Sequence, residues 1–124
     1  MFKFEKNPTS KVMTITVSGF FSAEDAKNYV AEYQRQVRSI VPSQYTLIVN
    51  GSDQKVTAQG LMEEFQGAVD MYLASKFKQT IIVLPSSAVA TMQIKKLRGV
   101  EKADFAKTLQ EAQALIGRTP VGAF

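Results

Sequence analysis

Two short runs, Tyr45-Thr46-Leu47-Ile48-Val49 and Thr80-Ile81-Ile82-Val83-Leu84, are almost unbroken in apolar, β-branched and aromatic residues. A strand with one wet face alternates; a strand that reads apolar throughout is covered on both. Between the two runs, Leu61, Phe65, Ala68, Val69, Tyr72 and Leu73 recur at three- and four-residue spacing, the signature of a helix with one apolar stripe. A buried strand, an amphipathic helix and a second buried strand restrict the chain to layers of helix packed on sheet.

The flanking segments extend this pattern. Phe2-Lys3-Phe4-Glu5 and Val12-Met13-Thr14-Ile15-Thr16-Val17 alternate apolar and polar around a turn marked by Asn7 and Pro8, which predicts an antiparallel hairpin. Ser22 is placed to cap a helix whose first turn carries Glu24 and Asp25, where carboxylates complement the helix dipole. Ala26, Tyr29, Val30, Tyr33, Val37, Ile40 and Val41 then predict about five turns, stopped by Pro42. Asn50 to Lys55 reads as a polar loop. After Pro85, Ser86 or Ser87 caps a short helix with Val89, Ala90, Ile94 and Leu97 inward and Gly99 closing it. Lys102 to Ala106 reads as a short edge strand. Thr108-Leu109-Gln110-Glu111 matches a capping box, and Gly117 suits the residue just beyond the helix that follows.

The order β-β-α-β-α-β-α-(β)-α predicts an α/β fold: a four- or five-stranded mixed sheet opening with an antiparallel hairpin, packed with about four helices over one face or both. Residues 1–117 form one domain in this reading, with 118–124 as a flexible C-terminal tail. A chain of 124 residues supports one core of ordinary size, and neither 45% hydrophobic residues nor a mean hydropathy of −0.07 departs from a water-soluble protein.

Composition also narrows the chemistry. The chain has no Cys and no His, which removes disulfides, thiolate metal sites and every Ser-His or Cys-His mechanism within it. No cofactor or metal ligand set is evident, and the reading is of a non-enzyme. The N-terminus lacks the apolar run of a signal peptide, and Ile81 to Leu84 is far too short to span a bilayer, so a cytoplasmic location is expected. The net charge of +4 is uneven. Residues 1–75 hold 7 basic and 8 acidic side chains, net −1, whereas residues 76–124 hold 8 and 3, net +5. Of the basic set Lys95, Lys96, Arg98 and Lys102, the first three nevertheless spread around their helix, and no aromatics interleave with the set, which argues against nucleic acid. Glu63 and Glu64 open a helix, where their role is with the dipole rather than in acid-base catalysis.

Three local patterns carry a resemblance: Val17-Ser18-Gly19-Phe20-Phe21-Ser22-Ala23-Glu24-Asp25, the corner ending Gly60-Leu61, and Phe105-Ala106-Lys107-Thr108-Leu109-Gln110-Glu111-Ala112. With the element order, they resemble the STAS domain and its SpoIIAA-like relatives, which include anti-sigma factor antagonists and transporter tails. That resemblance implies a non-catalytic protein-interaction or regulatory module. In regulatory members the corner reads Asp-Ser-Ser-Gly-Leu and a serine there is phosphorylated. Here Thr57, Ala58 and Gln59 stand in those places, and Gln takes no phosphate.

The expected partner-binding residues at this strand-to-helix corner are therefore Ser52, Thr57, Gln59, Gly60 and Met62, with Thr57 also suited to capping the second helix. Phe20 and Phe21, at a turn, are apolar candidates for a protein contact. The alternative reading is a carrier or sensor of a small apolar, lipid-like ligand. It calls for a cavity of several hundred Å³ between sheet and helices, lined by Met62 and Tyr72 from the edges of the apolar stripe. Both a monomer and a homodimer fit the sequence, the latter through the edge strand Phe2 to Glu5.

Overall fold

The computed structural model describes residues 2–19, 22–54 and 62–117, with Gln54 and Met62 described in main chain only. Five strands, β1 (Phe2–Asn7), β2 (Val12–Gly19), β3 (Thr46–Gln54), β4 (Gln79–Val83) and β5 (Asp104–Ala106), form one sheet in the spatial order of the chain. β1 and β2 are antiparallel, and β2, β3, β4 and β5 are mutually parallel. Parallel neighbours need crossovers, and α1 (Ala23–Val37), α2 (Met62–Ser75) and α3 (Ala88–Lys95) supply them. A fourth helix, α4 (Leu109–Leu115), follows β5. The mixed sheet, opening hairpin and four helices are those expected from the sequence.

Strand alternation sorts the core into two layers. Met13, Ile15 and Val17 of β2, Leu47 and Val49 of β3 and Ile82 of β4 pack with Tyr29 and Tyr33 of α1, Val69 and Tyr72 of α2 and Ile94 of α3. Ile48, Ile81, Val83 and Ala106 point the other way and meet Ala112 of α4. The three crossover helices thus cover one face, and α4 covers the β3–β5 end of the other. Met13, Ile15, Leu47 and Ile81 are fully buried, each contributing about 1.5–3 kcal/mol relative to exposure. The continuous apolar pattern of β3 and β4 has this cause. β2 contributes only Val12 to the margin of this layer and keeps half-buried Thr14 and Thr16 on that side.

Capping fixes where the helices start. Ser22 Oγ accepts from the Asp25 N–H at 3.0 Å and Asp25 Oδ2 accepts from the Ser22 N–H at 3.0 Å, a reciprocal box. The bonds from Ser22 hold the Asp25 carboxyl below its usual pKa. Ser87 Oγ caps α3 through the Ala90 N–H. Thr108 Oγ1 caps α4 through the Glu111 N–H at 3.0 Å, the forward half of the expected box. Gly117 has φ +79°, as a residue just past a helix end often does.

Four local expectations change. α1 ends at Val37, four turns rather than five, and Pro42 instead opens a short 3₁₀ turn, Pro42–Gln44. Asn50 to Gln54 is not a loop but the end of β3. Thr16 pairs with Asn50 and Ser18 with Asp53, so β3 carries one extra residue, a bulge. Val89 faces outward at 56% exposure, because the buried face of α3 is the line of Ala90 and Ile94, four residues apart, and Val89 lies to one side of it. Gly99, at φ +82°, lies beyond α3 and starts the 3₁₀ turn Val100–Lys102. Phe20, Phe21 and the tail 118–124 lie outside the described residues.

Candidate functional site

Because β2, β3 and β4 run parallel, their carboxyl ends lie side by side, with α1 and α2 starting above them. An apolar cleft opens there between the sheet and the helices. Its floor is Val17, Val49 and Ile82, one residue from each of the three strands. Ala26, Tyr29 and Val30 of α1 form one wall, and Phe65, Ala68, Val69 and Tyr72 of α2 the other, while Ile94 of α3 and Leu97 beyond it close the β4 side. Gly51, a buried residue of β3, and Glu64, in the first turn of α2, also line it. The space inside is about 80 Å³. One water needs roughly 10–15 Å³, so the cleft exceeds a packing defect, but it falls short of the several hundred Å³ expected for a lipid-like ligand.

The polar atoms deep in this region are phenols. Tyr29 and Tyr72 reach toward each other from α1 and α2, and their hydroxyls are hydrogen-bonded. Tyr33, one turn along α1, exchanges a hydrogen bond of 2.8 Å with Ser75 Oγ and donates to the Met71 carbonyl at 3.3 Å. The rings also pack edge-on or tilted: Tyr33 lies 5.5 Å from Tyr72, and Phe2 and Phe4 of β1 lie 5.4 and 5.6 Å from Tyr29. Burial pushes the Tyr29 hydroxyl well above its ordinary pKa, and the neighbouring Tyr72 adds to this. Burial also raises Tyr72 and pushes Tyr33 up to about 12, with the Ser75 bond opposing the latter. All three phenols are therefore neutral near neutral pH and can both donate and accept.

The candidate residues fall in three places. Tyr72, expected to line an apolar cleft, is 6% exposed and forms part of the cleft wall. Ser52 is half-buried on the extended end of β3, where its N–H and Oγ both donate to Asn50 Oδ1, at 3.2 and 2.9 Å. This arrangement satisfies the side-chain oxygen of buried Asn50 and fixes the strand beside Gly51. Thr57, Gln59 and Gly60 lie outside the described residues, as does the side chain of Met62. Sequence reasoning did not single out Tyr29 or the bulge in β3. Tyr29 sits on the inward stripe of α1, a position that reads simply as core, and no local pattern pairs it with a residue forty-three positions away.

Among the described residues, no three or more Asp or Glu gather as a metal site would require. No helix among them is long and apolar enough to cross a membrane. The basic side chains near α3 are exposed, and Lys95 Nζ lies 5.8 Å from the Phe105 ring centroid.

The fold is similar to that of an uncharacterized protein of the DUF3478 family, with a SpoIIAA-like fold, from Shewanella loihica PV-4. The TM-score is 0.63 at 9% sequence identity, covering 92% of this chain and 90% of that one. No protein-family model matches the sequence, and no curated protein matches it. At this identity the likeness is one of fold, and the chain has the SpoIIAA-like fold.

Proposed function

We propose that this SpoIIAA-like domain is a non-catalytic binding module whose cleft receives a small apolar group. The observation that carries the reading is the placement of an apolar-walled opening at the carboxyl ends of three parallel strands. Among its described lining residues the polar side chains are the neutral phenols of Tyr29 and Tyr72 and the carboxylate of Glu64, with no second titratable group beside Glu64 to complete an acid-base pair. The volume suits a compact ligand, or the apolar end of a longer one whose remainder stays in solvent. Ligand-observed NMR with short-chain alcohols and small arenes tests this. Binding is expected for wild type and is lost in Ala68→Phe, which fills the cleft from α2 while leaving the sheet unchanged. No saturation transfer from wild type to any of these probes would remove the cleft from the account.

A second reading, a protein partner, rests on a different observation. The pairing of β3 with β4 ends at Asn50 and Val83, whereas β3 continues with β2 as far as Gln54 opposite Gly19. This projecting ledge carries Ser52 and is followed in the sequence by Thr57, Gln59, Gly60 and Met62. An extended peptide added alongside β3 would continue the line of β4. Asp or Arg at Ser52, Gln59 and Met62 should abolish capture of such a partner with folding intact. Unchanged capture would exclude this edge.

A further inference from the structure

The two edges of the sheet differ. β5 has three residues, too few to template another strand, and α4 follows it directly. β1 has six, Phe2–Asn7, in unbroken register with β2 at every position from Phe2–Val17 to Asn7–Val12. It holds no proline and no bulge, two of the devices that protect a sheet edge from pairing.

Its charges have a further property. Lys3 and Glu5 project on the open side of the sheet, 71% and 58% exposed, with only a 3.8 Å ion pair between them. Phe2 and Phe4 project on the other side, half-buried against Tyr29. Turned about an axis through Phe4, the segment Lys3-Phe4-Glu5 becomes its own electrostatic complement. Lys3 of one copy then faces Glu5 of the other, Glu5 faces Lys3, and Phe4 faces Phe4.

We propose that β1 pairs antiparallel with β1 of a second copy of this chain about a two-fold axis through Phe4, joining two sheets into one. On the open side the four charges alternate in sign, which favours this register over one that sets Lys against Lys. On the helix side, Phe4 of each copy extends a groove between β1 and α1 that is lined by Phe2, Ala31, Glu32 and Arg35. Lys6 stands opposite Phe2 of the other copy and causes no clash of charge there, because its ammonium is turned away to Ser39 Oγ.

Sedimentation equilibrium on the full chain, at concentrations up to millimolar, tests the pairing. Wild type is expected to reach twice the 13.7 kDa chain mass. Glu5→Lys and Lys3→Glu each place like charges opposite one another and should weaken association roughly tenfold or more. The double variant Lys3→Glu/Glu5→Lys restores the alternation and should dimerise as wild type does. All four proteins are expected to share one circular dichroism spectrum and nearly one Tm, since both side chains are exposed. A wild type that stays monomeric overturns the proposal. So does a dimer indifferent to the single reversals, or a double variant as weak as either single one.

Discussion

The side-chain amide of Gln66 on α2 pairs with the main chain of Arg98 as a neighbouring strand would. Gln66 Nε2 donates to the Arg98 carbonyl at 2.8 Å, and Gln66 Oε1 accepts from the Arg98 N–H at 2.7 Å. The contact joins α2 to the irregular segment between α3 and β5, whose main chain has no ladder to satisfy it. A second glutamine plays the same part at the other end of the sheet. Gln79 donates to the Leu115 carbonyl at 3.0 Å and accepts from the Gly117 N–H at 2.9 Å, which holds the end of α4 against β4.

Replacing Gln66 with Ala removes both bonds to Arg98 and leaves its main-chain groups to water. The site is exposed, so the expected loss is about 1 kcal/mol. A lower urea midpoint with an unchanged m-value would show it, and an unchanged midpoint would mean that water replaces the amide without cost.

The Tyr29–Tyr72 pair should be strongly coupled. Tyr29→Phe or Tyr72→Phe alone deprives the other buried hydroxyl of this bond, at about 1–3 kcal/mol each. The double variant removes both hydroxyls and should cost less than the sum of the two. Additive losses in a denaturant-based double-mutant cycle would contradict a direct interaction.

Alkaline pH acts on the same cluster. A phenol whose folded pKa lies above the unfolded value near 10 binds more protons folded than unfolded between the two. Stability is therefore fully present below about pH 10 and falls as pH rises through about 12 for Tyr33. Tyr29 and Tyr72, also raised, extend the loss in the same direction. Urea midpoints measured from pH 8 to 12 should decline above about 10, and Tyr33→Phe should reduce the slope. Tyrosinate absorbance in native protein at pH 10.5 equal to that of free tyrosine would refute the premise.

Two glycines should respond with opposite sign. Gly67 is exposed within α2, and a Cβ there would meet nothing within 4 Å. Gly67→Ala is expected to stabilise by about 0.5–1 kcal/mol. Gly99 has φ +82°, and a Cβ there would stand 2.7 Å from Leu73 Cδ1. Gly99→Ala should destabilise by about 1–2 kcal/mol from the backbone alone, with displacement of Leu73 added. Paired thermal melts compare them directly.

Element order, strand character and helix starts were legible along the chain because each is a local property. Ser22, Ser87 and Thr108 cap where their spacing indicates, and Ile81 to Val83 is apolar throughout because helices cover both faces of β4. The SpoIIAA-like fold followed from that order. The end of α1 was less legible: Pro42 marks a place where a helix cannot continue, yet this one stops at Val37 without it.

What tertiary structure alone decided is where separate elements meet. Asn50 to Ser52 has the composition of a loop but is strand, because Thr16 to Gly19 of β2 lies beside it and supplies the pairing. Tyr72 reads as a cleft-lining residue at the margin of a stripe, but its hydroxyl's partner is set by packing, because α1 brings Tyr29 to it from across the helix layer. By itself the sequence determined which faces are apolar and where helices begin, since these depend on neighbours a few residues away. The cleft and the phenol pair depend on residues about forty positions apart, and only packing of helices on the sheet sets those distances.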